Sequence, residues 1–138
     1  MSERWIIYSI TAIVLFGAGS LFGKFASINE IPPRVYFFEA VGTLTVFTCF
    51  FLLKRHEILD GISINYFGIL MGITWGLGTV FFILALEKSK LSVLVPFTAL
   101  YPAVTVVLAL LFLGEKLSLK EVLGVALATF AGILLVKQ

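Results

Sequence analysis

The sequence predicts an all-α integral membrane protein, a bundle of five transmembrane helices, on three observations. Of its 138 residues, 60% are hydrophobic and 13% charged, where a soluble domain has about 45–50% and ~25%. Mean hydropathy is +1.10, so the apolar surface has no matching polar surface and lipid has to be its solvent. The apolar residues also fall into five stretches split by short charged connections, each close to the ~20 residues a helix needs to cross hydrocarbon. An open sheet would leave its edge groups unpaired in lipid, so the spans are helices.

The first span is expected at about 5–25, as long as a full crossing and so a retained helix rather than a signal-peptide core. Pro32-Pro33 closes the first loop, because proline at a helix start has no hydrogen bond to lose. The second span, about 35–53, stops at Lys54-Arg55-His56-Glu57. Asp60-Gly61 is a turn signal, and the third span runs over about 66–85. Glu87-Lys88-Ser89-Lys90 separates it from the fourth, 92–113. Gly114 stands where a helix C-cap glycine belongs. Ser118 and Glu121 have capping-box spacing, and the fifth span follows over about 122–136.

With these spans subtracted, only short connections remain, and 1–138 reads as one membrane domain without an extramembrane catalytic part. The net charge of +2 is scattered, which leaves no electrostatic footprint for nucleic acid. One cysteine and one histidine cannot build a disulfide or a Cys/His metal site. No Walker loop, GxSxG or His/Asp/Ser arrangement is present. The sequence therefore predicts no enzyme, no metal and no cofactor.

Small residues repeat every four positions: Gly68, Gly72 and Gly76 on the third span, Gly124, Ala128 and Gly132 on the fifth, and Gly19 and Gly23 on the first. This spacing lets helix backbones approach closely where lipid supplies no hydrophobic drive. The third-span set is expected to pack within the chain. The fifth-span set suits internal packing or a subunit contact.

Lysine and arginine in short loops set orientation. Arg4, Lys54, Arg55, Lys116 and Lys120 lie on the amino-terminal side, and Lys24, Arg34, Lys88, Lys90 and Lys137 on the other. The balance means that a partner fixes the orientation, that the chain inserts both ways, or that small counts balance by chance. An odd-span unit inserted both ways would generate the inverted pair on which many secondary transporters are built.

The stretch from Ser89 to Val136 resembles the end of an EamA domain of the drug/metabolite transporter superfamily. Pro96, Pro102, Leu113-Gly114-Glu115-Lys116-Leu117 and a final helix with Gly124 and Gly132 carry the resemblance. Upstream, Gly23-Lys24-Phe25 and Pro32-Pro33 fall where that family places a glycine-lysine and a loop proline. The resemblance implies a five-helix half-transporter that dimerises, as the related small multidrug resistance proteins do. Those relatives carry an acid in the first helix, where this chain has Phe16 and no acid. EamA domains usually carry arginine in the second helix where Glu39 stands here.

Glu39 is the acid well inside a span, and charge in lipid is a functional hypothesis with a partner to be named. Lys24 ends the first helix on the same side, so a Lys24–Glu39 ion pair stands beside a protonatable or cation-binding carboxylate. Pro102 lies inside the fourth span and predicts a bend near Leu100–Tyr101, either a hinge or a shape fitted to neighbours. Pro96 fits a first turn. Trp75 and Tyr101 sit mid-span rather than in the interfacial belts. Their polar tips need a partner or a water-lined cavity, which Thr74, Thr79, Thr98 and Thr105 are placed to provide.

Together these features point to a multi-pass protein of the cell (plasma or inner) membrane. It is read as half of a gradient-driven small-molecule transporter, working as a homodimer, possibly inverted, or with an inverted sister subunit. The alternative is a non-transport subunit or scaffold of a larger membrane complex.

Overall fold

A computed structural model of the chain describes residues 4–134. Every regular element among the described residues is helical. The helices are α1 (Arg4–Asn29), α2 (Pro32–Leu59), α3 (Tyr66–Lys88), α4 (Leu91–Thr98), α5 (Tyr101–Leu108) and α6 (Leu119–Leu134), with a π-helical turn at Ala109–Leu113. Four segments are long and apolar enough to cross a bilayer: Arg4–Asn29, Pro32–Leu59, Tyr66–Lys88 and Leu91–Leu113. Contacts group the chain into two compact units, Met1–Lys88 and Ser89–Gln138.

In the first unit the expected spans lie inside longer helices. Ile31 is extended (φ −73°, ψ 145°), as a residue before proline prefers, and Pro32 and Pro33 occupy the first turn of α2. Arg34 Nη1 closes that turn by donating to Glu30 Oε2 at 2.6 Å. Lys54 leaves helical geometry (φ −117°, ψ 15°), one residue past the expected span end. The helix then resumes through polar residues to Leu59, paired locally by Lys54 and Glu57. Asn65 starts α3, its Oδ1 accepting from the Gly68 N–H at 2.9 Å, which satisfies one of the free donors of a first turn.

In the second unit the fourth span is not one helix. Ala99 and Leu100 separate α4 from α5. Leu100 N–H donates to the Phe97 carbonyl and Ala103 N–H to the Leu100 carbonyl, a tighter pattern than the α-helical one. Pro102 has no N–H for the Thr98 carbonyl, and it lies in the first turn of α5 rather than in a helix interior. Pro96, expected in a first turn, is instead the interior proline of α4. Gly114 takes the left-handed conformation (φ 63°) that ends the helical run, a conformation glycine adopts without strain.

The capping box forms as the spacing predicts. Glu121 Oε2 accepts from the Ser118 N–H and hydroxyl, both at 2.7 Å. It starts α6 at Leu119, earlier than the expected Val122. The 16 described residues of α6 span about 24 Å at 1.5 Å per residue, less than a ~30 Å hydrocarbon core. Leu135 and Val136, which complete the expected fifth span, lie outside the described residues.

Buried side chains are few and local. Val35, Ile83 and Leu86 form the core of the first unit, and Leu94 with Gly132 that of the second. Phe16, Phe47, Phe81 and Leu111, among many others, are exposed. That is the surface lipid solvates, and the side-chain hydroxyls conform to it. Those of Ser9, Thr11, Ser20, Thr45, Thr48 and Thr74 each donate to the carbonyl four residues back. Hydroxyls bonded in this way leave no donor facing hydrocarbon.

Candidate functional site

The first unit is built around the end of α3. Leu86 is fully buried, and a Cβ on Gly23 would lie 3.3 Å from its Cδ1, so the absent side chain lets α1 approach. From the next residue, Lys24 Nζ donates to the Leu86 carbonyl at 2.6 Å. The last four carbonyls of a helix have no N–H of their own. A cation there both supplies a donor and meets the negative end of the helix dipole.

On α2, Tyr36, Glu39 and Thr43 are spaced i, i+3, i+7 and share one stripe of the helix. A Cβ on Gly76 of α3 would lie 3.4 Å from Tyr36 Oη, which puts Tyr36 against α3. Glu39 is exposed, one and a half turns inside Arg34. Its Oε1 accepts from Thr43 Oγ1 at 3.0 Å. Thr43 thereby departs from the carbonyl-directed hydroxyls around it.

Lys24 and Glu39 thus take different partners, Leu86 and Thr43, in place of the ion pair considered from sequence. Trp75 in the first unit and Tyr101 in the second are both more than half exposed. The nearby threonine hydroxyls turn to their own helices: Thr79 donates to the Trp75 carbonyl, Thr105 to the Tyr101 carbonyl, and Thr98 to the Leu94 and Val95 carbonyls. The glycine stripes are used unevenly. Gly76 meets Tyr36 and Gly132 meets Leu100, whose Cγ would lie 2.8 Å from an added Cβ, whereas Gly72 and Gly124 have nothing within 4 Å. A Cβ on Gly68 would meet Asn65, the residue that caps its own helix.

The sequence match agrees with this architecture over almost the whole chain. The model of the EamA-like transporter family matches residues 3–137. The chain belongs to the EamA-like transporter family. This EamA-like chain is therefore a multi-pass membrane protein of a transporter family, whose members are transporters rather than enzymes. It is similar to an uncharacterized protein of Methanocaldococcus jannaschii, 30% identical over 132 residues that cover 94% of each chain. No solved structure matches it.

Three site residues, Tyr36, Thr43 and Leu86, were missed in sequence. Tyr36 was legible in principle through its i, i+3, i+7 spacing with Glu39 and Thr43. Leu86 carries no such signal, since it is one leucine among many apolar residues in its span.

Proposed function

We propose that this EamA-like chain is half of a gradient-driven small-molecule transporter of the cell membrane that works as a dimer with an inverted partner, either a second copy or a sister subunit. The observation that carries the reading is the family match over residues 3–137. In this reading the expected span over about 122–136 is a fifth crossing, so each copy has an odd number of crossings and the pair is inverted. The five-against-five balance of lysine and arginine supports insertion in both directions, and fusion of such units gives the inverted repeats of many transporters.

The break at Ala99–Leu100 before Pro102 supports a hinge, because discontinuous helices absorb backbone change where irregular backbone lines a cavity. Glu39, Trp75 and Tyr101 are assigned to the substrate path, each as a polar tip held at membrane depth. Nothing in the sequence handles nucleotides, so an ion or substrate gradient is the driving force.

The test is reconstitution of the purified protein into vesicles and measurement of flux against a metabolite panel. Saturable, gradient-dependent flux of at least one compound is expected. Flux no greater than in protein-free vesicles for the whole panel, from correctly folded protein, would favour the scaffold reading.

A further inference from the structure

The end of α2 lies beyond the hydrocarbon. From Pro32 to Leu53 the helix rises about 33 Å at 1.5 Å per residue, or about 31 Å along the membrane normal at a typical ~20° tilt. That already fills a ~30 Å hydrocarbon core. Residues 54–60 therefore stand at headgroup level, and Lys54, outside helical geometry, marks the change. Within this stretch Lys54 and Glu57 neutralise each other. Arg55 and Asp60 are exposed and enter no ion pair among the described residues. One cation and one anion remain, set apart from each other.

Both line one open hollow, together with His56 and Leu59. Arg55, His56 and Leu59 are spaced i, i+1, i+4 and share a face of the helix. Asp60 ends the helix, its N–H bonded to the His56 carbonyl at 3.1 Å, and Gly61 (φ 60°) makes the turn that follows. The donors suit an anion: a guanidinium takes phosphate oxygens in pairs, and the imidazole adds an N–H. The Asp60 carboxylate suits a cation. A calcium or magnesium ion wants six or more oxygens, and among the described residues no three His, Cys, Asp or Glu gather as a metal site. A ligand that carries a phosphate and an ammonium leaves neither charge unpaired. Leu52 and Leu53, on the hydrocarbon side of the hollow, are exposed and offer an apolar continuation.

We infer that the end of α2 is a headgroup site for a phospholipid that carries a primary ammonium. Arg55 and His56 take its phosphate, Asp60 takes its ammonium, and an acyl chain lies along Leu52 and Leu53. The lipid source follows from depth, because a site at headgroup level always meets lipid phosphates, which a soluble phosphate ester has to displace. The ammonium is primary because it brings three N–H donors to the carboxylate, and a quaternary one brings none. The site is separate from the substrate path assigned above and does not depend on what the chain transports.

Native mass spectrometry of the full-length protein in detergent micelles tests it, by titration with dioleoyl phosphatidylethanolamine, phosphatidylcholine or phosphatidylglycerol. The affinity for the first bound lipid should be several-fold higher for the ethanolamine lipid than for the other two. Arg55→Gln should weaken its binding by about tenfold, as loss of a charge-assisted contact does. Asp60→Asn should erase the preference over phosphatidylglycerol, and His56→Gln should cause a smaller loss. Arg34→Gln, at the other end of α2, should leave the affinity unchanged. Free phosphoethanolamine at the lipid's own concentration should displace none of it. Unchanged thermal midpoints in the same detergent separate lost recognition from lost fold, and the wild-type ranking needs no variant. Equal or higher affinity of the wild type for the choline or glycerol lipid would overturn the assignment. So would wild-type binding by Arg55→Gln, a preference that survives Asp60→Asn, a loss in Arg34→Gln as large as in Arg55→Gln, or displacement by free phosphoethanolamine.

Discussion

Lys24 near the end of α1 donates its ammonium to the carbonyl of Leu86 near the end of α3, 2.6 Å away and 62 residues along the chain. Gly23 makes the approach possible, and Leu86 is the fully buried side chain at the junction. In lipid an unpaired carbonyl has no water to turn to, so this contact and the Gly23–Leu86 packing together hold the ends of the two spans against each other.

Lys24→Met is expected to lower stability in detergent by roughly 1–3 kcal/mol, the cost of leaving a buried acceptor unsatisfied. Lys24→Arg should recover part of it. Because Glu39 has a different partner, the Lys24→Met and Glu39→Gln effects should add to within about 0.5 kcal/mol. Thermal unfolding of both single variants and the double variant checks this, and a strong coupling between them would show that the two charges do pair.

The glycine stripe of α6 should respond at one end only. An added methyl at Gly132 collides with Leu100 at the α4–α5 break, so Gly132→Ala should destabilise by about 1–3 kcal/mol, as overpacking does. Gly124→Ala meets nothing within 4 Å among the described residues and should be neutral or slightly stabilising for an isolated copy through helix propensity. If it nonetheless weakens dimerisation in a sedimentation or cross-linking assay, that face holds the partner.

The start of α6 should depend on pH. Glu121 stands in the first turn, ahead of the apolar run that begins at Val122. Hydrogen bonds from Ser118, the backbone N–H first and the hydroxyl second, hold its carboxyl below the usual 4.5. A depressed acid contributes stability that is present above its unfolded value and is lost as pH falls through its folded value. Amide exchange in the first turn of α6 should therefore stay slow from neutral pH to about 4.5, after correction for intrinsic exchange, and lose protection below it. Ser118→Ala should remove most of that dependence.

Much of this was legible before any coordinates. The helical class and the order of the first four spans follow from hydropathy, and the Ser118–Glu121 box, the Gly114 cap and the kink at Lys54 follow from residue chemistry that acts locally. Partner choice was not legible. Lys24 and Glu39 are charges at one end of neighbouring spans, and sequence offers no way to see that a helix-end carbonyl 62 residues away competes better for the lysine. The proline reading held for the bend expected near Leu100–Tyr101, found as a break at Ala99–Leu100, and failed for the place of Pro102 within it, for a related reason. Pro102 looked interior because the apolar run is continuous through Ala99 and Leu100, and nothing in hydropathy marks where a helix stops and restarts.

Pro102 also bears on motion. If the Ala99–Leu100 break is the moving joint, Pro102→Ala restores a donor to the Thr98 carbonyl and should favour a continuous helix. Transport in vesicles is then expected to fall several-fold with stability unchanged or raised. An unchanged rate would make the break a matter of shape.

The central claim is that the working unit pairs one copy with an inverted partner. Three lysines added to one short loop lock the orientation of a copy by the charge bias of that side, and the same addition on the opposite side locks the other. The decisive measurement is substrate flux in vesicles or cells that hold either locked form alone and both together, with topology verified by accessibility of labelled termini. Each locked form alone should be inactive, and co-expression should restore flux to near the wild-type level. Normal transport by a single locked form on its own would contradict the inverted pair.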